Sequence, residues 1–233
     1  MVAVRLRLRD NLLSTNGQTK RGKPNGKAKG HTAMNKTEVL GTLEEYFCVL
    51  LHAIMYLRGV YPASTFERVA HYETATWASA HPEVKQWVEK AARLTTRAIR
   101  DAKCRSVSFI VVEDGRARER VVLDMVHFSA AIKLDVHPVN LGHQFGASIT
   151  RIYQAVPFCE RESDDLTMTV AISGTGLIDD GDSPWIVGER STAVPRTRRV
   201  KPIRFMEAGS LSFGLYYVDA ENSGDGECPT LEN

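Results

Sequence analysis

Seven histidines, four cysteines and an acidic run, Asp179-Asp180-Gly181-Asp182, are the residues of this 233-residue chain whose types could do chemistry. Their spacing does not support it. Cys48, Cys104, Cys159 and Cys228 form no CxxC pair, so neither a zinc knuckle nor a disulfide framework is expected; they read as small buried hydrophobes in a reducing compartment. No two histidines stand at metal-ligand spacing, and His81, just before Pro82, reads as a hydrogen-bonding group at a helix start. The acidic run lacks the alternating oxygen ligands and closing glutamate of a calcium loop. Gly174-Thr175-Gly176 follows a strand pattern, but no third glycine or helix comes after it, so it is not a dinucleotide loop. There is no phosphate-binding P-loop, GxSxG or HExxH. The expectation is a protein without catalytic residues, metal or cofactor.

Charge narrows the partners. Of 30 Lys/Arg and 28 Asp/Glu, nine basic residues and one acid fall in residues 1–36, leaving 21 basic against 27 acidic in the rest. The body is therefore mildly acidic and offers no broad basic face for direct, sequence-specific nucleic-acid binding. Residues 1–36 read as a basic, disordered arm, because Gly17–Gly30 is too rich in Gly, Pro, Asn and Lys to bury itself. Its basic run reads either as a nuclear-import signal or as a solvated arm. The alternation Val4-Arg5-Leu6-Arg7-Leu8 has the period of a strand, not of a helical targeting signal. From residue 220 the chain is acidic and loose.

A chain with no self-contained motif must work through its surfaces, and the elements predict which ones. Val39–Pro62 is a helix apolar on most sides, with Leu40, Leu43, Phe47, Leu50, Ile54 and Leu57 on one stripe; Asn35 or Thr37 caps its start and Pro62 marks its end. It is too interrupted by Glu44, Glu45, His52 and Arg58 for a membrane span, so other elements must wrap it. Ala63–Ala80 reads as a connection anchored by Phe66, Val69, Tyr72 and Trp77. A second helix starts at His81-Pro82-Glu83. Ser106–Glu113 and Arg118–Met125 form a hairpin around Asp114-Gly115 with a loop longer than two residues. Asn140–Val156 is a third helix, in which Gly142 and Gly146 let a neighbouring backbone come close. Leu166–Ser173, Pro202–Met206 and Leu211–Val218 are strands, the last two joined at Ala208-Gly209-Ser210, and Pro184–Val187 is either a short strand or an anchor. The fold class is α+β, three helices with a largely antiparallel sheet.

Arg58-Gly59-Val60-Tyr61-Pro62, followed by Phe66 and Tyr72, resembles the HORMA-domain family. His81-Pro82-Glu83-Val84-Lys85-Gln86-Trp87, Ser183-Pro184-Trp185-Ile186, Arg199-Val200-Lys201-Pro202-Ile203-Arg204 and Leu215-Tyr216-Tyr217-Val218 are most similar to its branch of noncatalytic DNA polymerase zeta subunits. The resemblance covers about residues 37–220, implying a HORMA domain over 37–219 whose C-terminal "safety belt", about 174–219, traps a partner peptide as an added strand.

The resemblance further implies a nuclear, non-enzymatic adaptor in DNA damage tolerance. Its partners would be the catalytic subunit of polymerase zeta, through a proline-containing peptide, and the deoxycytidyl-transferase scaffold of translesion synthesis. Trp87, Trp185 and Val187 match the peptide-gripping positions; Trp and Val are also common core residues. Val200, Gly214 and Tyr216 match the scaffold surface, with Gly214 departing from the family's longer polar residue. The arginine that pairs two HORMA domains has no counterpart near Phe145–Thr150, so a homodimer is not implied. The alternative is a checkpoint- or meiotic-type HORMA adaptor that binds closure-motif peptides, to which Arg58–Phe66 is as similar.

Overall fold

A computed structural model describes residues 2–7, 33–100, 104–125, 135–158, 166–174, 186–188 and 198–220. Helix α1 (Lys36–Leu57) is its axis. Asn35 is the cap: its side chain accepts from the Glu38 amide while the Glu38 carboxylate accepts from the Asn35 amide, a reciprocal capping box. The helix stops at Leu57, before the expected Pro62, because Gly59 adopts φ +59°. There the Gly59 amide donates to the Tyr56 carbonyl and the Val60 amide to the Met55 carbonyl, closing the end as a Schellman turn. By length and hydropathy α1 would suffice to cross a membrane, contrary to the sequence expectation. It is instead a core helix, with Leu43, Tyr46, Phe47, Leu50, Leu51 and Met55 fully buried against α2 (Pro82–Arg100), α3 (Pro138–Ala155) and the rest of the core.

The stretch expected to be a plain connection is a hairpin, β2 (Phe66–His71) with β3 (Thr74–Ser79). Its two-residue turn uses Tyr72 and Glu73 at φ 49° and 58°, left-handed positions usually filled by Asn or Gly. That substitution hid it. The hairpin lies against α3 at Gly146, where a Cβ would come within 2.5 Å of the Tyr72 carbonyl oxygen. The close approach anticipated for this glycine is therefore real. Tyr46 stacks on Phe145 at 4.0 Å and Tyr56 on Trp77 at 4.6 Å, joining α1 to α3 and to β3.

Beneath the helices runs a seven-stranded, wholly antiparallel sheet in the order β7-β1-β6-β4-β5-β9-β8. Its strands are β1 (Val2–Arg7), β4 (Cys104–Glu113), β5 (Arg116–Asp124), β6 (Thr167–Gly174), β7 (Ile186–Gly188), β8 (Arg198–Ala208) and β9 (Leu211–Ala220). Two expectations are corrected. The β4–β5 loop is only Asp114-Gly115, both at positive φ, and the extra length is a bulge that sets Val111 opposite Glu119 but Val112 opposite Ala117. Val2–Arg7, expected within a disordered arm, is a strand with neighbours on both sides, so its two-residue period prevails over the basic composition around it. The rest of that arm, residues 8–32, and the tail 221–233 lie outside the described residues.

Candidate functional site

The end of the sheet where β1 lies is assembled from segments far apart in sequence. β1 pairs with β6 from Val2↔Gly174 to Arg7↔Thr169, and with β7 at Ala3↔Gly188, Val4↔Val187 and Arg5↔Ile186. β6 and β7 therefore run parallel to each other with a strand position between them. The chain leaves β6 at Gly174 and re-enters the sheet at Ile186, on the far side of that position. A strand held there is bonded through its main chain on both edges, which makes the position tolerant of sequence. Val187 sits opposite Val4, on the flank of this slot; Trp185 lies outside the described residues. Trp87 is 7% exposed on α2, within the core that includes Val84, Val88 and Ala91, so the structure gives it a packing role.

The other end of the sheet is the β8–β9 hairpin. Leu211, Phe213, Leu215 and Tyr217 all point into the core, as the alternation predicted. The opposite face carries the expected scaffold positions. Val200, opposite Val218, is 58% exposed; Tyr216, two residues from Val218, is half-buried, and Gly214 lies two residues further along β9. A Cβ on Gly214 would come 2.6 Å from the Tyr216 ring, so the glycine is what lets this ring lie flat across β9. Phe205, opposite Gly214 and 55% exposed, and the exposed Pro202, opposite Tyr216, complete an apolar face that sequence reasoning did not assign. A bulge between Pro202 and Arg204 resets the alternation, which is why Phe205 did not stand out.

Buried polar groups tie this hairpin down. Glu119 on β5, 6% exposed, accepts from the Arg58 guanidinium at the end of α1 and from the Tyr217 hydroxyl on β9. Arg58 also donates to the Pro157 carbonyl at 2.8 Å. At the hairpin tip Gly209 holds φ +60°, and any Cβ there would collide with the Asp135 carbonyl. Elsewhere burial dominates the titrations. It pushes the Cys48 thiol up to about 12, helped by Glu44, Glu89 and Glu45, and the Cys104 thiol up to about 12 against the hydrogen bond to Ser106, so neither is a poised nucleophile. His52 drops to about 4, chiefly by burial and then by Lys85 and His71; its Nδ1 accepts from the Ser79 amide. Among the described residues no group of three or more His, Cys, Asp or Glu is placed to hold a metal.

No family model matches the chain. Its curated relatives include the mitotic spindle assembly checkpoint protein MAD2B of Homo sapiens, 21% identical over 196 residues, covering 80% of this chain and 93% of that protein. A chain in a crystal structure of the mitotic checkpoint complex superposes with a TM-score of 0.63 at 16% identity, over 81% of this chain and 98% of that one. A structure of C. elegans HTP-1 bound to the HIM-3 closure motif gives 0.61 at 10% identity, over 80% and 92%. The chain has the fold of HORMA-domain proteins. Another relative is the DNA polymerase zeta processivity subunit of Schizosaccharomyces pombe, 27% identical over 79 residues, covering 34% of this chain and 37% of that protein. The expected α+β architecture of three helices on an antiparallel sheet is thus the HORMA fold.

Proposed function

We propose that this protein of HORMA fold is a non-enzymatic peptide-binding adaptor and serves in the nucleus as the accessory subunit of translesion DNA polymerase zeta. One observation carries the adaptor reading: β6 and β7 flank a strand supplied from elsewhere, paired to β6 over six residues and to β7 over three. The relatives among MAD2B proteins and a polymerase zeta processivity subunit support the more specific role. In it, the strand slot takes a proline-containing segment of the catalytic subunit, gripped by Trp185 and Val187 with Trp87 supporting from the core. The face of Val200, Gly214 and Tyr216, extended by Pro202 and Phe205, docks the deoxycytidyl-transferase scaffold. The two sites lie at opposite ends of one sheet, so a single domain bridges two partners without steric conflict.

A second reading, a checkpoint- or meiotic-type adaptor, uses the same slot for a closure-motif peptide and is favoured by the likeness to the checkpoint-complex and HTP-1 chains. Calorimetric titration with the two peptide types separates them. The polymerase peptide is expected to bind more tightly, and Trp185→Ala to weaken it by about 10-fold or more, as for loss of an aromatic anchor. Unchanged affinity in Trp185→Ala removes the belt assignment, and preference for the closure-motif peptide selects the second reading.

A further inference from the structure

We propose that Val2–Arg7 is a built-in occupant of the strand position between β6 and β7, so that a partner peptide binds by displacing the chain's own N-terminus. What this says of partners rests on the adaptor reading; what it says of the chain itself rests on the strand order.

Among the described residues β1 is the one strand of the sheet that precedes α1 in sequence, and both of its neighbours come from the far half of the chain. Its register sets Val4 opposite Ile172 and Leu6 opposite Val170, both buried residues of β6, while Arg5 and Arg7 fall opposite Ala171 and Thr169. Aliphatic residues at alternate positions are thus the feature a competing strand must reproduce, together with a direction antiparallel to β6. Because the position is internal to the sheet, proline in a competitor belongs outside the paired stretch, where no ladder donor is lost.

Residues 8–32 join β1 to the fold. A chain of that length reaches up to about 80 Å, several times the radius of a domain this size, so occupation in cis is sterically free. Covalent attachment in cis supplies β1 at an effective concentration on the order of millimolar, enough to hold a six-residue strand without a high intrinsic affinity. A partner then binds with its affinity divided by the fraction of slots left open.

The test uses the full chain and its Val4→Pro variant, which removes a ladder donor in the middle of β1. Hydrogen exchange is expected to speed up by about 10-fold or more on β6 and β7 while β5, β8 and β9 stay protected. A synthetic peptide of residues 1–9 should restore that protection in trans and bind the variant about 10-fold or more tightly than the parent. Val4→Ile should behave as the parent. Unchanged β6 protection in Val4→Pro, or equal binding of the 1–9 peptide to both chains, overturns the proposal. Protection of β6 that falls on dilution also overturns it, in favour of exchange of β1 between copies. If the 1–9 peptide behaves as expected but the polymerase peptide does not compete with it, the adaptor reading fails and the self-occupied slot stands. If the polymerase peptide binds parent and variant equally, the adaptor stands and the self-occupied slot fails.

Discussion

At one end of the main sheet β8 and β9 form a contiguous hairpin of 11- and 10-residue strands; at the other, three-residue β7 meets six-residue β1 from the opposite terminus. The hairpin sends four large side chains into the core, contacts α3 and is tied by Glu119 to the end of α1. β7 is fastened by pairing to β1 over three positions. A two-residue turn closes the hairpin end, so its ladder forms with little loss of chain entropy, whereas the β7–β1 end must close nearly the whole chain. The first end is a fixture of the fold and the second is an exchangeable addition to it. An adaptor needs both: a rigid face for one partner and a replaceable strand for another.

Cutting the tie at the hairpin end is the strongest way to break this comparison. Glu119→Ala takes the carboxylate partner from Arg58 and the acceptor from the Tyr217 hydroxyl, and should lower the unfolding free energy by about 3–4 kcal/mol, as for one half of a buried pair. Urea unfolding measures it, and a loss under about 1 kcal/mol would mean the hairpin end is no better anchored than β1.

Acidification probes the body that carries both ends. His52 is held at about 4 against an ordinary 6.5, so the unfolded chain takes up a proton that the fold refuses. Its contribution is complete above about pH 6.5 and is lost as pH falls towards 4, amounting to roughly 2–3 kcal/mol. Because His52 sits between α1 and the β2–β3 hairpin, both ends of the sheet should weaken together, and His52→Gln should flatten that part of the pH profile. A pH profile identical in His52→Gln would exclude this histidine as the cause.

Gly214→Ser sharpens the comparison with the smallest effect. The added Cβ evicts the Tyr216 ring, a flexible group, so unfolding should shift by less than about 1 kcal/mol while the ring resonances of Tyr216 move. A loss above about 2 kcal/mol would show that the face is structural rather than available.

Much of this was legible in the sequence where the determining interactions are local. The three helices follow from their apolar period and from Asn35 and Pro82, and the inward set Leu211, Phe213, Leu215 and Tyr217 follows from alternation. Where geometry departs from residue preference the reading failed. Tyr72 and Glu73 make a left-handed turn without Gly or Asn, and the bulges near Val111 and Pro202 displaced a loop and hid Phe205. β1 was missed for another reason. Its strand period was visible, but its partners lie in the far half of the chain, and composition points instead to a loose arm. Of the candidate site, Tyr216 lies on the strand expected, Val187 lies on β7, Val200 lies on β8 ahead of the expected start at Pro202, and Trp87 is buried on α2.

Gly146 has a practical consequence for anyone redesigning this protein. The helix it belongs to and the small two-stranded ribbon touch through a hydrogen atom where every other amino acid has a carbon. Swapping that ribbon for one from a relative, or refilling α3 with better helix formers, will therefore succeed only if this single position is left empty.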